Sequence, residues 1–324
     1  EAITIPDATG MSNVTLVFTV EWGECNGERR KKRCVARLQP KTTNPLFPEY
    51  DLELQYRIME RLGEQSTIPV PKLIGLEKDN SVIGVPFYIM EYKSGRIPSD
   101  IPPYHMDGWL KHEANSSQRE SLWNAATDML TELHRLDYKK LRFDSLLTHT
   151  RTPLEKQLSY WRSYHDWALE SAPNKICIEA LEWLSANQPS NEPITLCWGD
   201  ARISNMIFAE SLDKVVAVLD WEMASLGNPV QDIAWFNYMD ACFAEGLNCA
   251  RLSGFPTYEE TLSKWESQSG HSAKSYNYYT IFAGMRFALI FSRILTITGQ
   301  PTDTKTNFAS QVLEKRMEDL IPIS

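Results

Sequence analysis

Asp200 and Asn205 lie five residues apart in LCWGDARISNMIF, and Asp220 follows at the end of VVAVLD. An acid, an amide and a second acid in that order supply what phosphoryl transfer from a nucleotide to an alcohol requires. The attacking hydroxyl must shed its proton, and a carboxylate within hydrogen-bond reach orients it and accepts that proton. Asp200 is the expected catalytic carboxylate, with Arg202 expected to support it or to touch a phosphate. Magnesium prefers hard oxygen ligands and keeps several waters, so one carboxylate and one amide oxygen suffice beside the phosphates. Asp220 and Asn205 are the expected metal ligands.

Gly-Asp and Ser-Asn are also ordinary turn chemistry, so the flanking segments decide the reading. ITLCW is a short apolar run into the Gly199-Asp200 turn, NMIFAE leaves it, and VVAVLD has the character of a buried strand ending on Asp220. Protein kinases place their catalytic Asp, metal-binding Asn and metal-binding Asp in the same order.

The stretch from Leu196 to Phe236, with WGDARISN, VLDWE and GNPVQDIAWF, resembles the aminoglycoside phosphotransferase family of small-molecule kinases. The likeness extends over nearly the whole chain. It is greatest to the branch that includes the kinase-like domains fused to some acyl-CoA dehydrogenases, whose PVP and GxPFYxMEYxxGR patterns are met by Val70-Pro71 and by Gly84 to Arg96. The resemblance implies an α+β, two-lobed, protein-kinase-like fold, with a small antiparallel-sheet N-lobe over residues 1–92 and a larger, mainly helical C-lobe over 93–324. It implies ATP and Mg2+ as cofactors, and it makes aminoglycosides no default acceptor.

The N-lobe must hold the nucleotide. Val14, Leu16, Phe18, Val20 and Trp22 alternate with Thr15, Val17, Thr19 and Glu21, the period of a strand with one buried face. GECNGERRKK then reads as a polar turn and RCVARLQP as the returning strand. ATGMSN falls where a phosphate-covering hairpin loop lies, with Gly10 permitting close backbone approach and Ser12 and Asn13 offering donors. Arg37 stands where the family places a phosphate-gripping cation, and Arg can do so with two prongs. A helix over roughly 50–62 is expected to carry its acidic partner. Gln55 best matches the family's glutamate, while Glu53 points about 200° away on a helix, so the partner is left open between them. PFYIMEYKSGR resembles the hinge between lobes, with Met90 lining the pocket and the backbone of Glu91 and Lys93 facing the adenine edge.

Beyond Gly95 the character changes to helix and loop. Helices are expected over 117–136, 154–170, 175–186, 229–241, 258–267, 276–298 and 307–320. His134 reads as a hydrogen-bonded core histidine rather than a base, since Asp200 fills that role. Trp198 occupies a position that is His in most of the family, where packing is expected to replace it at some cost to loop geometry. Asp232 is expected to brace the catalytic loop, and Glu222 to neighbour either metal or substrate. The acceptor pocket is expected among Trp161, Trp167, Trp235, Tyr238, Tyr278, Tyr279, Phe282 and Arg286, with Arg286 available to an anionic group.

Composition limits the class. The 324 residues are 43% hydrophobic and 23% charged, enough for a sizeable core and ordinary for a globular protein. A net charge of -9 disfavours a nucleic-acid partner, because duplex binding is dominated by phosphate neutralisation. No run approaches a membrane span. The six cysteines show no CxxC or Cys/His ligand spacing, which points to reduced thiols and a cytoplasmic setting. The chain starts at Glu1 inside what reads as the first strands, so a short native segment is expected to precede it.

These features together predict an ATP- and magnesium-dependent kinase acting on a small-molecule hydroxyl, with a hydroxyacyl-CoA or another neutral or anionic metabolite as acceptor. An antibiotic kinase and a nucleotide-binding pseudokinase that senses or scaffolds are the alternatives. A protein kinase is disfavoured, because about eleven residues between Asp220 and Asp232 leave no room for a peptide-docking activation segment.

Overall fold

The computed structural model describes residues 12–24, 28–147, 150–169, 172–302 and 307–321. Its first lobe is a four-stranded sheet with strand order β1-β2-β4-β3. β1 (Val14–Gly23) runs antiparallel to β2 (Arg29–Leu38), with Val14 opposite Leu38 and Gly23 opposite Arg29. β4 (Phe87–Glu91) lies between β2 and β3 (Leu73–Glu77), antiparallel to both.

The hairpin departs from expectation in two ways. The basic run Arg29 to Lys32 belongs to β2 rather than to the turn. The sheet also buries Val17 (7% exposed) while Val14, Val20 and Trp22 stay exposed. The far half of the hairpin extends past its neighbouring strand, since β2 pairs with β4 only from Cys34 onward. Val20 and Trp22 lie on this far half, where β2 is not paired with β4.

α1 (Leu52–Gln65) packs on β3 and β4. It buries Leu52, Gln55, Ile58, Met59 and Leu62 at helical spacing, and Asp51 caps it by accepting from the Leu54 N–H.

The second lobe is mainly helical. α2 (Trp109–His112) is a single turn, and α3 (Ser116–His134) opens on a reciprocal cap between Asn115 and Gln118. α4 (Pro153–Ala168) starts with Pro153 behind a Thr152/Glu155 capping box, and α5 (Lys175–Ala186) follows. Four short strands come next. β5 (Thr195–Cys197) pairs with β8 (Ser225–Gly227), and β6 (Met206–Phe208) pairs with β7 (Val215–Val218). α6 (Val230–Ala244), α7 (Tyr258–Ser269), α8 (Tyr276–Ile297) and α9 (Phe308–Leu320) complete the lobe.

Every residue of α6 is buried. A helix enclosed on all sides must satisfy its own polar side chains inside the protein, and α6 carries Asp232, Trp235 and Asp240. α8 corrects the expectation about membrane-length segments, because by length and composition it is apolar enough to cross a bilayer. The lobe uses it as a core helix: 72% of its most apolar window is buried, against α4, α5, α6 and α9.

Candidate active site

The catalytic loop is shaped by what flanks it. β5 is fully buried and aligns Cys197 with Ser225 of β8, bringing residue 199 against Met223. Gly199 has φ +91, and a Cβ there would lie 2.1 Å from the Met223 carbonyl oxygen, so only glycine fits. The chain then turns through Asp200, and a single 3-10 turn over Ile203–Asn205 returns Asn205 beneath it. Leu219 N–H donates to Asn205 O at 2.9 Å, which fixes the end of β7 beside the loop. Asp220 leaves that strand end at φ +57, a left-handed conformation that Asp tolerates and that often marks a site held in place by its surroundings.

Asp200 is 7% exposed and heavily coordinated by donors. Its Oδ2 accepts from Asn205 Nδ2 at 2.7 Å and from Arg202 Nε at 3.0 Å, and its Oδ1 accepts from the Trp235 indole at 3.0 Å. A carboxylate offers about four acceptor sites, so Oδ1, with the Trp235 indole as its donor, keeps capacity for one more. Arg202 in turn binds Asp100, which also accepts from Ser204. Burial opposes the charge on Arg202, but Asp100 and then Asp200 hold its guanidinium above its ordinary value. The Asp100 contact links the catalytic loop to the segment joining the lobes. Neither Trp235 nor Asp100 was singled out from the sequence as a partner of the loop. Their signals were weak: a tryptophan three residues after Asp232 on the same helix, and an acid in a proline-rich stretch.

Behind the loop runs a buried relay. Asp232 accepts the backbone N–H of Trp198 at 2.6 Å and of Gly199 at 2.9 Å. His134 Nε2 lies 3.1 Å from Asp232 Oδ2, and His134 Nδ1 accepts from the Trp265 indole at 2.9 Å. Because Nδ1 is an acceptor, the imidazole carries its proton on Nε2 and donates it to Asp232. Trp198 uses its own indole N–H on the carbonyls of Leu219 and Asp220. The loop geometry at this position is therefore held by hydrogen bonds as well as by packing.

On the nucleotide side the structure resolves the open partnership. Arg37 Nη1 donates to Thr15 Oγ1 at 2.8 Å and Nη2 to Asp220 Oδ2 at 3.4 Å. Although burial opposes its charge, Asp220 holds the Arg37 guanidinium above its ordinary value. Neither helix residue is its direct partner. Gln55 is buried and accepts from the Tyr88 hydroxyl at 3.4 Å, while Glu53 sits on the surface paired with Lys78 at 2.6 Å. Gly10 lies outside the described residues. Ser12 and Asn13 are buried, and Asn13 Nδ2 donates to Glu222 Oε2 at 2.9 Å, so this donor is committed to a carboxylate rather than offered to solvent.

At the hinge, Met90 is buried in β4. The Glu91 N–H is taken by Lys72 O at 2.9 Å, which leaves Glu91 its carbonyl for any ligand. The Glu91 side chain pairs with Lys32, and Lys93 Nζ lies 4.0 Å from it.

The donor set fits a magnesium ion shared with phosphates. Among the described residues Asp220 Oδ1 is buried with no hydrogen-bond partner, and Asn205 spends its amide N–H groups on Asp200, which keeps its amide oxygen out of that pairing. Burial, and then the Asp220 charge, push the Glu222 carboxyl up to about 8. A crowded acidic corner of this kind favours a cation. Among the described residues no cluster of three or more His, Cys, Asp or Glu forms a metal cage, and a site completed by phosphates and water needs none.

Beside Glu222 opens a cavity of about 310 Å³ between the lobes. Phe47, Tyr50, Leu54, Leu147, Tyr160 and Trp161 form much of its wall, with Arg286 in its depth and Lys156 at another part of its lining. Of the aromatic residues expected there, only Trp161 lines it. Trp235, Tyr238, Tyr278, Tyr279 and Phe282 are buried in the core, and Trp167 is exposed. Helical spacing on α6 and α8 reports the core-facing stripe of an enclosed helix, which explains the misplacement. A wider depression of about 710 Å³ lined by Arg135, Lys139 and His271 contains none of the residues discussed above except His134.

Residues 26–258 match the phosphotransferase enzyme family. Acyl-CoA dehydrogenase family member 10 of Mus musculus is 28% identical over 292 residues, covering 87% of this chain and 26% of its own length. The chain spans about a quarter to a third of the length of such curated relatives. Among solved structures, a "putative aminoglycoside phosphotransferase" from Ralstonia eutropha JMP134 superposes with a TM-score of 0.70 at 21% identity, covering 98% of this chain and 93% of that one. A thermostable mutant of aminoglycoside phosphotransferase APH(4)-Ia, in ternary complex with AMP-PNP and hygromycin B, gives 0.61 at 12% identity, covering 99% and 95%. Similarity at these identities establishes the two-lobed fold.

Proposed function

We propose, from the premise that this chain belongs to the phosphotransferase enzyme family, a kinase that uses MgATP to phosphorylate a hydroxyl of a small molecule. The observation that carries this reading is the convergence of Asp200, Asn205 and Asp220 on one cleft, each held by its own contacts. The APH(4)-Ia complex with AMP-PNP supports an adenine nucleotide as the donor. The lobes divide the work, with residues 1–92 holding the nucleotide and 93–324 supplying the catalytic loop and the acceptor cleft.

In this reading Asp200 orients the acceptor hydroxyl and takes its proton on Oδ1 as the oxygen attacks the γ-phosphorus in line. Arg202, Asn205 and Trp235 fix that carboxylate so that no reorganisation is needed at the moment of attack. Asn205 and Asp220 would hold magnesium, which would supply positive charge beside the phosphates. Arg37, already beside Asp220, grips the phosphates, and Tyr88 and Gln55 position it from behind. The Glu91 carbonyl and the Lys93 N–H face the adenine edge, against Met90. Ser12 and Asn13 cover the phosphates after leaving Glu222.

The acceptor is a neutral or anionic hydroxylated metabolite. The relatives named acyl-CoA dehydrogenases make a hydroxyacyl thioester the first compound to try. The deciding experiment follows labelled γ-phosphate from MgATP onto a panel of hydroxyacyl-CoAs, hydroxy acids, sugars, amino alcohols and aminoglycosides, with wild type and Asp200→Asn side by side. Transfer to one class, reduced at least about 100-fold in the variant, is the expected result. Failure to bind MgATP at all would overturn the reading.

A further inference from the structure

We propose that Arg286 anchors an anionic group of the phosphate acceptor, and that the acceptor is a hydroxylated carboxylic acid with an apolar body. The inference rests on the kinase reading above and, among its acceptors, selects the free hydroxy acid over the thioester.

Arg286 comes from the middle of α8 and is 2% exposed. Its Nη2 donates to Gly199 O at 2.9 Å, and its Nε is buried with no partner among the described residues. Three rings surround the guanidinium, with centroids 4.5 Å away for Trp235, 5.3 Å for Phe282 and 5.4 Å for Trp161. The nearest carboxylates act on it from a distance and are held by other donors: Asp232 by the Trp198 and Gly199 amides, Asp200 by Arg202, Asn205 and Trp235. Burial consequently lowers its guanidinium to about 10.

A buried cation without a counter-ion is costly, and aromatic faces compensate only part of that cost. A side chain left in this state at the bottom of an open cavity is completed by a ligand anion. Guanidinium favours carboxylates and phosphates through paired N–H donors. Phe47, Leu54, Leu147, Tyr160 and Trp161 give part of the cavity wall an apolar surface, which suits a carbon chain. Of the three acids at the cavity, Glu49 and Asp51 are exposed, Asp51 is occupied in capping α1, and Glu222 accepts from Asn13. Of the lining's two cations, Lys156 is exposed and Arg286 is buried.

Position also limits the acceptor. Arg286 is bonded to the residue immediately before Asp200, so an anion on its unused donors sits close to the base. Hydroxyl and carboxylate must then be separated by a few carbons, as in a short-range hydroxy acid.

The test is calorimetric titration of the full chain with 3-hydroxyoctanoate, its methyl ester, 1,3-octanediol and octyl phosphate. The acid is expected to bind at least about tenfold tighter than ester or diol, as a charge-assisted pair requires. Arg286→Gln is expected to abolish that preference, and Arg286→Lys to keep part of it. Melting curves and MgATP binding verify that the variants fold, and the wild-type ligand series decides the matter even if Arg286→Gln does not. Equal binding of acid and ester, or an acid preference that survives in folded Arg286→Gln, would overturn the proposal. Tighter binding of octyl phosphate would assign the site to a phosphate monoester instead, and binding of none would remove the site. Label transfer on the same compounds separates the two readings. An acid that binds through Arg286 yet receives no phosphate removes the kinase assignment alone, whereas equal transfer to diol and acid removes this inference alone.

Discussion

The indole N–H of Trp198 donates to the backbone carbonyl of Asp220 at 2.9 Å, and to that of Leu219 at the same distance. Since the Trp198 amide also donates to Asp232, one residue fastens the catalytic loop, the end of β7 and the start of α6. The Trp198 side chain is fully buried. Trp198→Phe keeps most of the packing and deletes the donor, leaving two carbonyls short of a partner. We expect a loss of about 1–3 kcal/mol, read from urea unfolding, with Trp198→His recovering part of it. A Phe variant as stable as wild type would mean that the bond does not hold the loop.

Trp235 is the positioning residue nearest the chemistry, through its 3.0 Å bond to Asp200 Oδ1. Trp235→Phe leaves that oxygen free to rotate away from the acceptor. The predicted result is a fall in kcat of about tenfold, near 1.4 kcal/mol, with the KM for ATP unchanged because no nucleotide contact is assigned to this ring. A change confined to the KM for ATP would contradict the role.

The loop from Asp200 to Asn205 is legible in the sequence because its chemistry is local. Asp200, Arg202 and Asn205 lie within one turn, and the apolar runs on either side fix them as strand, loop and strand. The helices were legible too: α5 falls at 175–186 as expected, and α3, α7 and α8 end within two residues of their expected bounds. What stayed hidden depends on tertiary contact. Arg37 finds its acid in Asp220, 183 residues away, and not on α1. Tyr160 and Phe47 line the cavity without any local pattern that separates them from core aromatics. The inward face of β1 could not be chosen from alternation, since both sets of residues contain apolar side chains. The short strand β8 and the single turn α2 carry too few residues for a period to be seen.

Asp220 has one oxygen facing Arg37 and one buried oxygen with no partner. Asp220→Asn removes the charge that a magnesium ion would meet while keeping the shape. The magnesium concentration for half-maximal transfer is expected to rise at least about tenfold, as loss of metal-site partners commonly causes. Rates measured against free magnesium at saturating ATP test this, and an unchanged midpoint would exclude Asp220 as a ligand.

Asp240 should govern stability without touching catalysis. It is buried in α6 and accepts from the Tyr104 hydroxyl at 2.7 Å, Arg251 Nε at 2.6 Å and the Tyr258 hydroxyl at 2.9 Å, with His105 Nε2 at 2.9 Å. Burial works against its charge, but His105 and then Arg251 hold the carboxyl below its ordinary value. Asn cannot accept with its amide nitrogen, so Asp240→Asn strands one or more of these donors, and a loss of about 3–5 kcal/mol at neutral pH is expected. The sign of the pH effect follows from the direction of the shift. A carboxyl whose folded value is depressed adds stability that is present above its unfolded value, about 4, and is lost as pH falls through the folded value. The gap between wild type and Asp240→Asn in urea unfolding should therefore be widest near neutral pH and close progressively below about pH 4. A gap that is constant with pH would show that the variant fails through packing and that the charge on Asp240 contributes nothing.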